Sequence, residues 1–218
     1  MNPILKIPMF LFVLLMSQMA IAQYEEGDWA ERDTWMDVNA IFDQVGITEG
    51  SAVGDIGCHE GYLSVRLAGR VGEAGQVYAV DVREDRLNDL RANLKDRDLT
   101  NVNVILGDYD NPKLPTNTLD VVIIMDTYHE MEDYMTILDH VHEALKPGGR
   151  IVIVEKLKTR IKGKSRDQQT AAHSLSLKYV KKELMKAGFE VGYQNKDMGD
   201  WENDVDKVIW MVVGTKKG

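Results

Sequence analysis

The sequence predicts an α/β fold: a doubly wound, mostly parallel sheet with a C-terminal antiparallel strand pair. Three observations carry that reading. Short apolar runs recur along the chain with amphipathic helical stretches between most of them, the alternation that builds a parallel sheet covered by helices on both faces. The first run breaks at a glycine turn and enters a helix directly. The last two runs have no helical pattern between them, so they should pair antiparallel.

The elements follow in order. At 218 residues and 44% apolar content, the chain is long enough for one well-packed domain and short for two. Residues 1–22 carry a short basic start ending at Lys6, an almost wholly apolar stretch over 7–16, and the small-residue site Ala20-Ile21-Ala22. This is the layout of a cleavable signal peptide, with an apolar core too short to span a bilayer comfortably. It predicts export to a periplasm or the extracellular space, or a cytoplasmic protein if the leader is not used. Residues 23–50 read as an N-terminal helical brace, with Trp29 and Trp35 and a helical spacing of Val38, Ile41, Phe42 and Val45 that stops at Gly46.

Residues 51–218 hold the main domain. Strand-like runs stand at 52–56, 77–82, 102–106, 119–125, 150–154 and 208–213, with a further late strand at 189–194. Helical spacing appears over 62–71 (Leu63, Leu67, Val71), 84–96 (Leu87, Leu90, Leu94), 134–145 (Ile137, Leu138, Val141) and 175–187. Lys146-Pro147-Gly148-Gly149 is a strong terminator for the third of these. The stretch from Lys156 to Arg166 alternates basic with other residues and reads as a solvated loop, with a dedicated anion site as the alternative. An acidic loop over 197–206 separates the two late strands.

Composition excludes several functions. A net charge of −9 lacks the basic footprint on which nucleic-acid binding depends, so a small-molecule substrate is expected and no nucleic acid. Stable membrane association is not expected once the signal is cleaved. Cys58 is the only cysteine, so no intrachain disulfide forms. No Cys or His cluster has convincing metal-ligand spacing along the chain, and no metal is expected, although His129, Glu130 and Asp133 could bind one if their loop folded back. Oligomeric state is not legible.

The chemistry concentrates in Val53-Gly54-Asp55-Ile56-Gly57-Cys58-His59-Glu60-Gly61 and in the second strand, which ends at Asp81. A strand that breaks at Gly57 and enters a helix at Gly61 lets backbone approach a ligand at the strand's C-terminal edge, with helix N-terminal N–H groups facing it. An acid about 20 residues beyond the last glycine falls on the neighbouring strand, beside the place of a ribose diol. That geometry suits an adenosine-containing cofactor.

Five landmarks in register resemble the Rossmann-like class I S-adenosylmethionine-dependent methyltransferases. They are Asp55-x-Gly57-x-x-x-Gly61, Asp81, Gly107-Asp108, the strand Leu119-Asp120-Val121-Val122 leading to Asp126, and Leu145-Lys146-Pro147-Gly148-Gly149-Arg150. They cover residues 51–155, and the likeness is closest to small methyltransferase-domain proteins with a Tyr-His-Glu sequence after the fourth strand, here Tyr128-His129-Glu130. The resemblance implies S-adenosyl-L-methionine as cofactor and a methyl acceptor that it does not name. It implies that Gly57 and Gly61 admit the methionine part, with Asp55 near the ammonium group. Asp81 would accept from the ribose hydroxyls, Asp108 and Tyr109 would meet the adenine, and Asp126 would face the sulfonium. His59 replaces the usual middle glycine, so it must adopt φ > 0 or another backbone shape. Its imidazole would bind the cofactor carboxylate or merely cap the turn.

For catalysis, His129 is the candidate base, just past the fourth strand, since an unperturbed imidazole titrates near neutrality. Glu130 would orient it or bind an acceptor. His173 is a second candidate, on a loop able to return over the pocket. The alternative role of His129 and Glu130 is structural, as caps of the following helix. Glu155, at the end of the fifth strand, would line the acceptor site or pair with a lysine of the basic stretch. Two other functions stay open: a non-catalytic exported binding protein that keeps the fold, and a nicotinamide-dependent oxidoreductase, which the glycine spacing fits less well.

Overall fold

The computed structural model describes residues 28–218. The expected leader, residues 1–22, and the start of the brace lie outside the described residues. The elements are α1 (Trp29–Arg32), α2 (Val38–Gln44), β1 (Ala52–Ile56), α3 (Tyr62–Val71), β2 (Gln76–Asp81), α4 (Glu84–Asp96), β3 (Val102–Leu106), β4 (Leu119–Met125), α5 (Tyr134–Ala144), β5 (Leu145–Lys158), α6 (Arg166–Thr170), α7 (Leu177–Lys186), β6 (Phe189–Asn195) and β7 (Lys207–Lys216).

These strands form one sheet in the order β3-β2-β1-β4-β5-β7-β6. β1 to β5 run parallel, and β7 lies antiparallel between β5 and β6. The late pair forms as the sequence predicts, and β7 inserts between its partner and the parallel strands. Winding reverses between β1 and β4, whose C-terminal ends therefore splay their loops apart and leave a crevice.

Both sheet faces are covered. Ile41, Phe42, Val53, Leu67 and Val152 share one apolar cluster, and Leu138, Val141, Ile153, Leu184 and Trp210 share the other. The helices follow from spacing: α3 buries Leu63, Leu67 and Val71, and stops where Gly72 takes φ 62°. In α4, Leu87, Leu90 and Leu94 are buried while Glu84 and Asp85 occupy the first turn, where carboxylates favour the helix dipole. The brace packs on the first face, pinned by Arg150 Nη1 donating to the Val45 carbonyl at 2.6 Å and by the Arg66–Asp33 ion pair at 2.5 Å. Among the described residues, no helix is long and apolar enough to cross a membrane.

One reading needs correction. The basic stretch does not begin as a loop, because β5 continues to Lys158 and pairs with β7 as far as Lys158↔Lys207. With an antiparallel partner alongside, the alternation of Lys156, Leu157 and Lys158 becomes strand alternation, placing the lysines on one face. Further on, Ser165 and Gln168 form a capping box that starts α6, a helix start signal in its own right.

Candidate active site

The site is built at the C-terminal ends of β1, β2, β4 and β5. After β1, Gly57, His59 and Gly61 take φ values of 81°, 50° and 101°. A Cβ on Gly57 would meet Thr127 Oγ1 at 2.3 Å, and one on Gly61 would meet Leu90 Cδ1 at 2.3 Å. Gly57 is thus required by close packing as well as by conformation, and Gly61 by conformation, since the end of the Leu90 side chain can move aside. His59 adopts the left-handed conformation itself, and Asp81 holds it there. One Asp81 oxygen accepts from the His59 backbone N–H at 2.9 Å and the other from that of Arg83 at 3.0 Å.

His59 turns its imidazole to Glu60, with Nδ1 against the carboxylate. Burial, with Arg86 and Arg83 nearby, lowers its pKa to about 4, so the ring is neutral at pH 7. Glu60 is buried and accepts from Trp29 Nε1 of α1 at 3.0 Å. Asp55 does not open on the cleft. It lies beneath α3, where Ser64 Oγ donates to it at 2.6 Å, and burial raises its pKa to about 7 against that hydrogen bond. Asp108 and Tyr109 stand beyond the cleft lining, after β3; Asp108 accepts from Lys113 Nζ at 2.9 Å, and Tyr109 is 80% exposed.

The other wall comes from β4 and β5. Asp126, at φ 53°, directly follows β4 and pairs with Lys156 of β5. Burial raises its pKa even against Lys156. Glu155, the next residue on the opposite face of β5, is fully buried. It accepts from the His129 backbone N–H at 3.0 Å and contacts His129 Nδ1 at 2.9 Å. Glu155 therefore neither lines the acceptor space nor pairs with a lysine, as the sequence suggested; it fixes the His129 ring from behind.

His129 Nε2 faces Glu130 at 3.6 Å, and Glu130 Oε1 lies 3.2 Å from Nδ1 of the exposed His173. The ordinary imidazole expected for His129 is not what this setting produces. Burial works against charge, but Glu155, Glu130 and Asp126 outweigh it and push its pKa up to about 10. Hydrogen bonding to His129, opposed by burial, lowers that of Glu130.

A cleft of about 280 Å³ joins the two walls, running from Cys58 and His59 past Asp126 to His129, Glu130 and His173. It brings together His59, Asp126, His129, Glu130 and His173 of the residues singled out in the sequence; Asp55, Gly57, Gly61, Asp81, Asp108 and Tyr109 are not in its lining. Among the lining residues that were not singled out as site residues are Arg32, Lys156 and Trp201. Arg32 reaches Met125 Sδ at 3.1 Å and stacks 4.2 Å from the Tyr62 ring. Trp201, almost fully buried, folds the acidic loop over the cleft, 4.8 Å from Trp35 and beneath Lys156 Nζ at 4.6 Å. A lone tryptophan in an acidic loop was the one available signal, since so large an apolar side chain is seldom left in water.

A family model described as a methyltransferase domain matches residues 47–209. Among curated proteins, the demethylmenaquinone methyltransferase of Geobacillus sp. (strain WCH70) is 33% identical over 112 residues, 51% of this chain and 48% of that protein. That of Listeria monocytogenes serovar 1/2a is 31% identical over 117 residues, 54% and 49% of the two chains. The chain spans about half the length of the curated relatives it matches. Among solved structures, a SAM dependent methyltransferase from Aquifex aeolicus superposes with a TM-score of 0.72 at 24% identity, covering 89% of this chain and all of the other. The [4+2]-cyclase SpnF superposes with a TM-score of 0.70 at 18% identity, covering 86% and 81%. At those identities the two structures speak for the fold alone.

Proposed function

The chain belongs to the methyltransferase domain family, and from that premise we propose that it transfers a methyl group from S-adenosylmethionine to a small-molecule acceptor held in the cleft. One observation carries the reading. The glycine turn after β1 and the Asp126–His129–Glu130–His173 wall meet in a single crevice at the point where the sheet winding reverses. The residues fit the cofactor. Each Asp81 oxygen accepts one backbone N–H, which leaves lone pairs for ribose hydroxyl donors.

Once bound, S-adenosylmethionine supplies an electrophilic methyl group on a sulfonium. The residues of the chain then do three things. Asp81 fixes the ribose, and the glycine turn admits the methionine part. Trp201 and Arg32 narrow the cleft and exclude water, so that alignment of the reactants contributes to the rate. Glu130 and His173, at the open end, stand where an acceptor with a proton to lose would present it. The curated relatives support a small aromatic or quinol-type acceptor. The leader-like segment supports action outside the cytoplasm, a reading checked by the mass of the mature N-terminus.

Purified protein is incubated with labelled S-adenosylmethionine and, as first acceptor, a reduced demethylnaphthoquinone. Labelled product supports the reading in full. Calorimetric binding of S-adenosylhomocysteine without product from this acceptor or from a cell extract supports the non-catalytic binding protein instead. No heat with S-adenosylhomocysteine at millimolar concentration refutes both.

A further inference from the structure

We propose that His129, Glu130 and His173 form a binding site for a divalent transition-metal ion such as Zn²⁺, at the open end of the cleft. The proposal does not depend on methyl transfer, since metal binding is measured without cofactor or acceptor. The ligand atoms are already gathered. Glu130 Oε1 lies 3.2 Å from His173 Nδ1 and 3.6 Å from His129 Nε2, and one donor atom from each residue lies within 4.8 Å of the others. Metal–ligand bonds of about 2.0–2.2 Å in tetrahedral array put neighbouring donors roughly 3.3 Å apart. Two of the three edges therefore stand near their coordinated length. The third closes by rotation of His173, whose side chain is 64% exposed.

A second, independent observation concerns the back of His129. Its Nδ1 is held at 2.9 Å by Glu155, which is fully buried and also takes the His129 backbone N–H. A carboxylate on one ring nitrogen fixes the orientation of the ring and turns the other nitrogen outward, the arrangement that supports metal-ligating histidines; the ion displaces the proton that this nitrogen carries at neutral pH. The alternative group, Asp126, His129 and Glu155, is less suited to a cation, because Lys156 already occupies Asp126 and the His129 backbone occupies Glu155.

Two histidines and one carboxylate leave at least one coordination position open, as in catalytic rather than structural sites. Here that position faces the cleft. An acceptor hydroxyl or carbonyl oxygen is the chemical class it would take, polarised by the ion. The trio was invisible to spacing, because Glu130 and His173 lie 43 residues apart and only the return of the loop before α7 unites them.

Untagged protein, freed of metal by chelation, is titrated with Co²⁺ followed by its visible absorption, and Zn²⁺ is added to compete. The expected result is one Co²⁺ per chain with a visible ligand-field band, displaced by Zn²⁺ and lost in His173→Ala and in Glu130→Gln. Because His173 is exposed, His173→Ala leaves folding intact, and thermal melting checks this. Glu155→Gln weakens binding about ten- to a hundredfold. No binding by the wild-type chain, or binding unchanged in His173→Ala and Glu130→Gln, overturns the proposal. Calorimetry of S-adenosylhomocysteine on the same samples reports separately on the methyltransferase reading.

Discussion

Replacing Asp55 by Asn should stabilise the protein, and by more at high pH than at low. Asp55 is 2% exposed beneath α3, with one hydrogen bond from Ser64 Oγ at 2.6 Å. Burial raises its pKa from 3.8 to about 7. The sign follows from linkage. Between these values the folded protein binds a proton that the unfolded chain has released, so stability is fully present below pH 3.8 and is lost as pH rises through about 7. A shift of about 3 units at about 1.4 kcal/mol each sets an upper bound of roughly 4 kcal/mol, with about 2 kcal/mol expected after relaxation. Asn keeps an oxygen for Ser64 and does not titrate. Urea denaturation of wild type and Asp55→Asn at pH 4.5 and pH 8 is the assay. The stability gap should widen by about 2 kcal/mol toward pH 8; a gap that does not change with pH, or that narrows, refutes the account of a carboxyl disfavoured by burial.

Asp81→Asn should weaken S-adenosylhomocysteine binding about ten- to a hundredfold by calorimetry, the worth of a hydrogen bond to a charged group, with only about 1 kcal/mol lost in folding. Unchanged affinity would remove Asp81 from the ribose site. Gly61→Ala sets a Cβ against Leu90 Cδ1 at 2.3 Å in a backbone at φ 101°. It should cost about 1–3 kcal/mol in denaturant titration, chiefly from backbone strain, and a wild-type midpoint would show that the turn relaxes. Trp201→Ala empties the contact with Trp35 and Lys156. A loss of about 3–5 kcal/mol is expected, together with faster exchange of backbone amides around residue 201; a loss below about 1 kcal/mol would show that the loop is not packed on the cleft.

The parallel sheet, its helices and its glycine turn were legible because each rests on local pattern. Apolar runs separated by spacing such as Leu63, Leu67 and Val71 have one face to bury, and Gly57 and Gly61 answer to the few backbone angles that a strand-to-helix turn permits. The late antiparallel pair was legible for a similar reason, since no crossover helix separates its strands. The far end of β5 was not, because alternating Lys and Leu becomes strand only when β7 lies beside it.

Sequence alone determined the fold, the order of the landmarks and the family that they resemble. Tertiary structure decided what the site residues are to one another. It moved Asp55 under a helix, put Glu155 behind His129 instead of in the acceptor space, and brought His173 and Trp201 to a cleft built mainly by residues far from them in the chain. The physical reason is range. Propensity and periodicity act over a few residues, whereas the charge state of His129 and the grouping of His129, Glu130 and His173 arise from side chains 26 and 43 residues apart, which meet only when the sheet has folded.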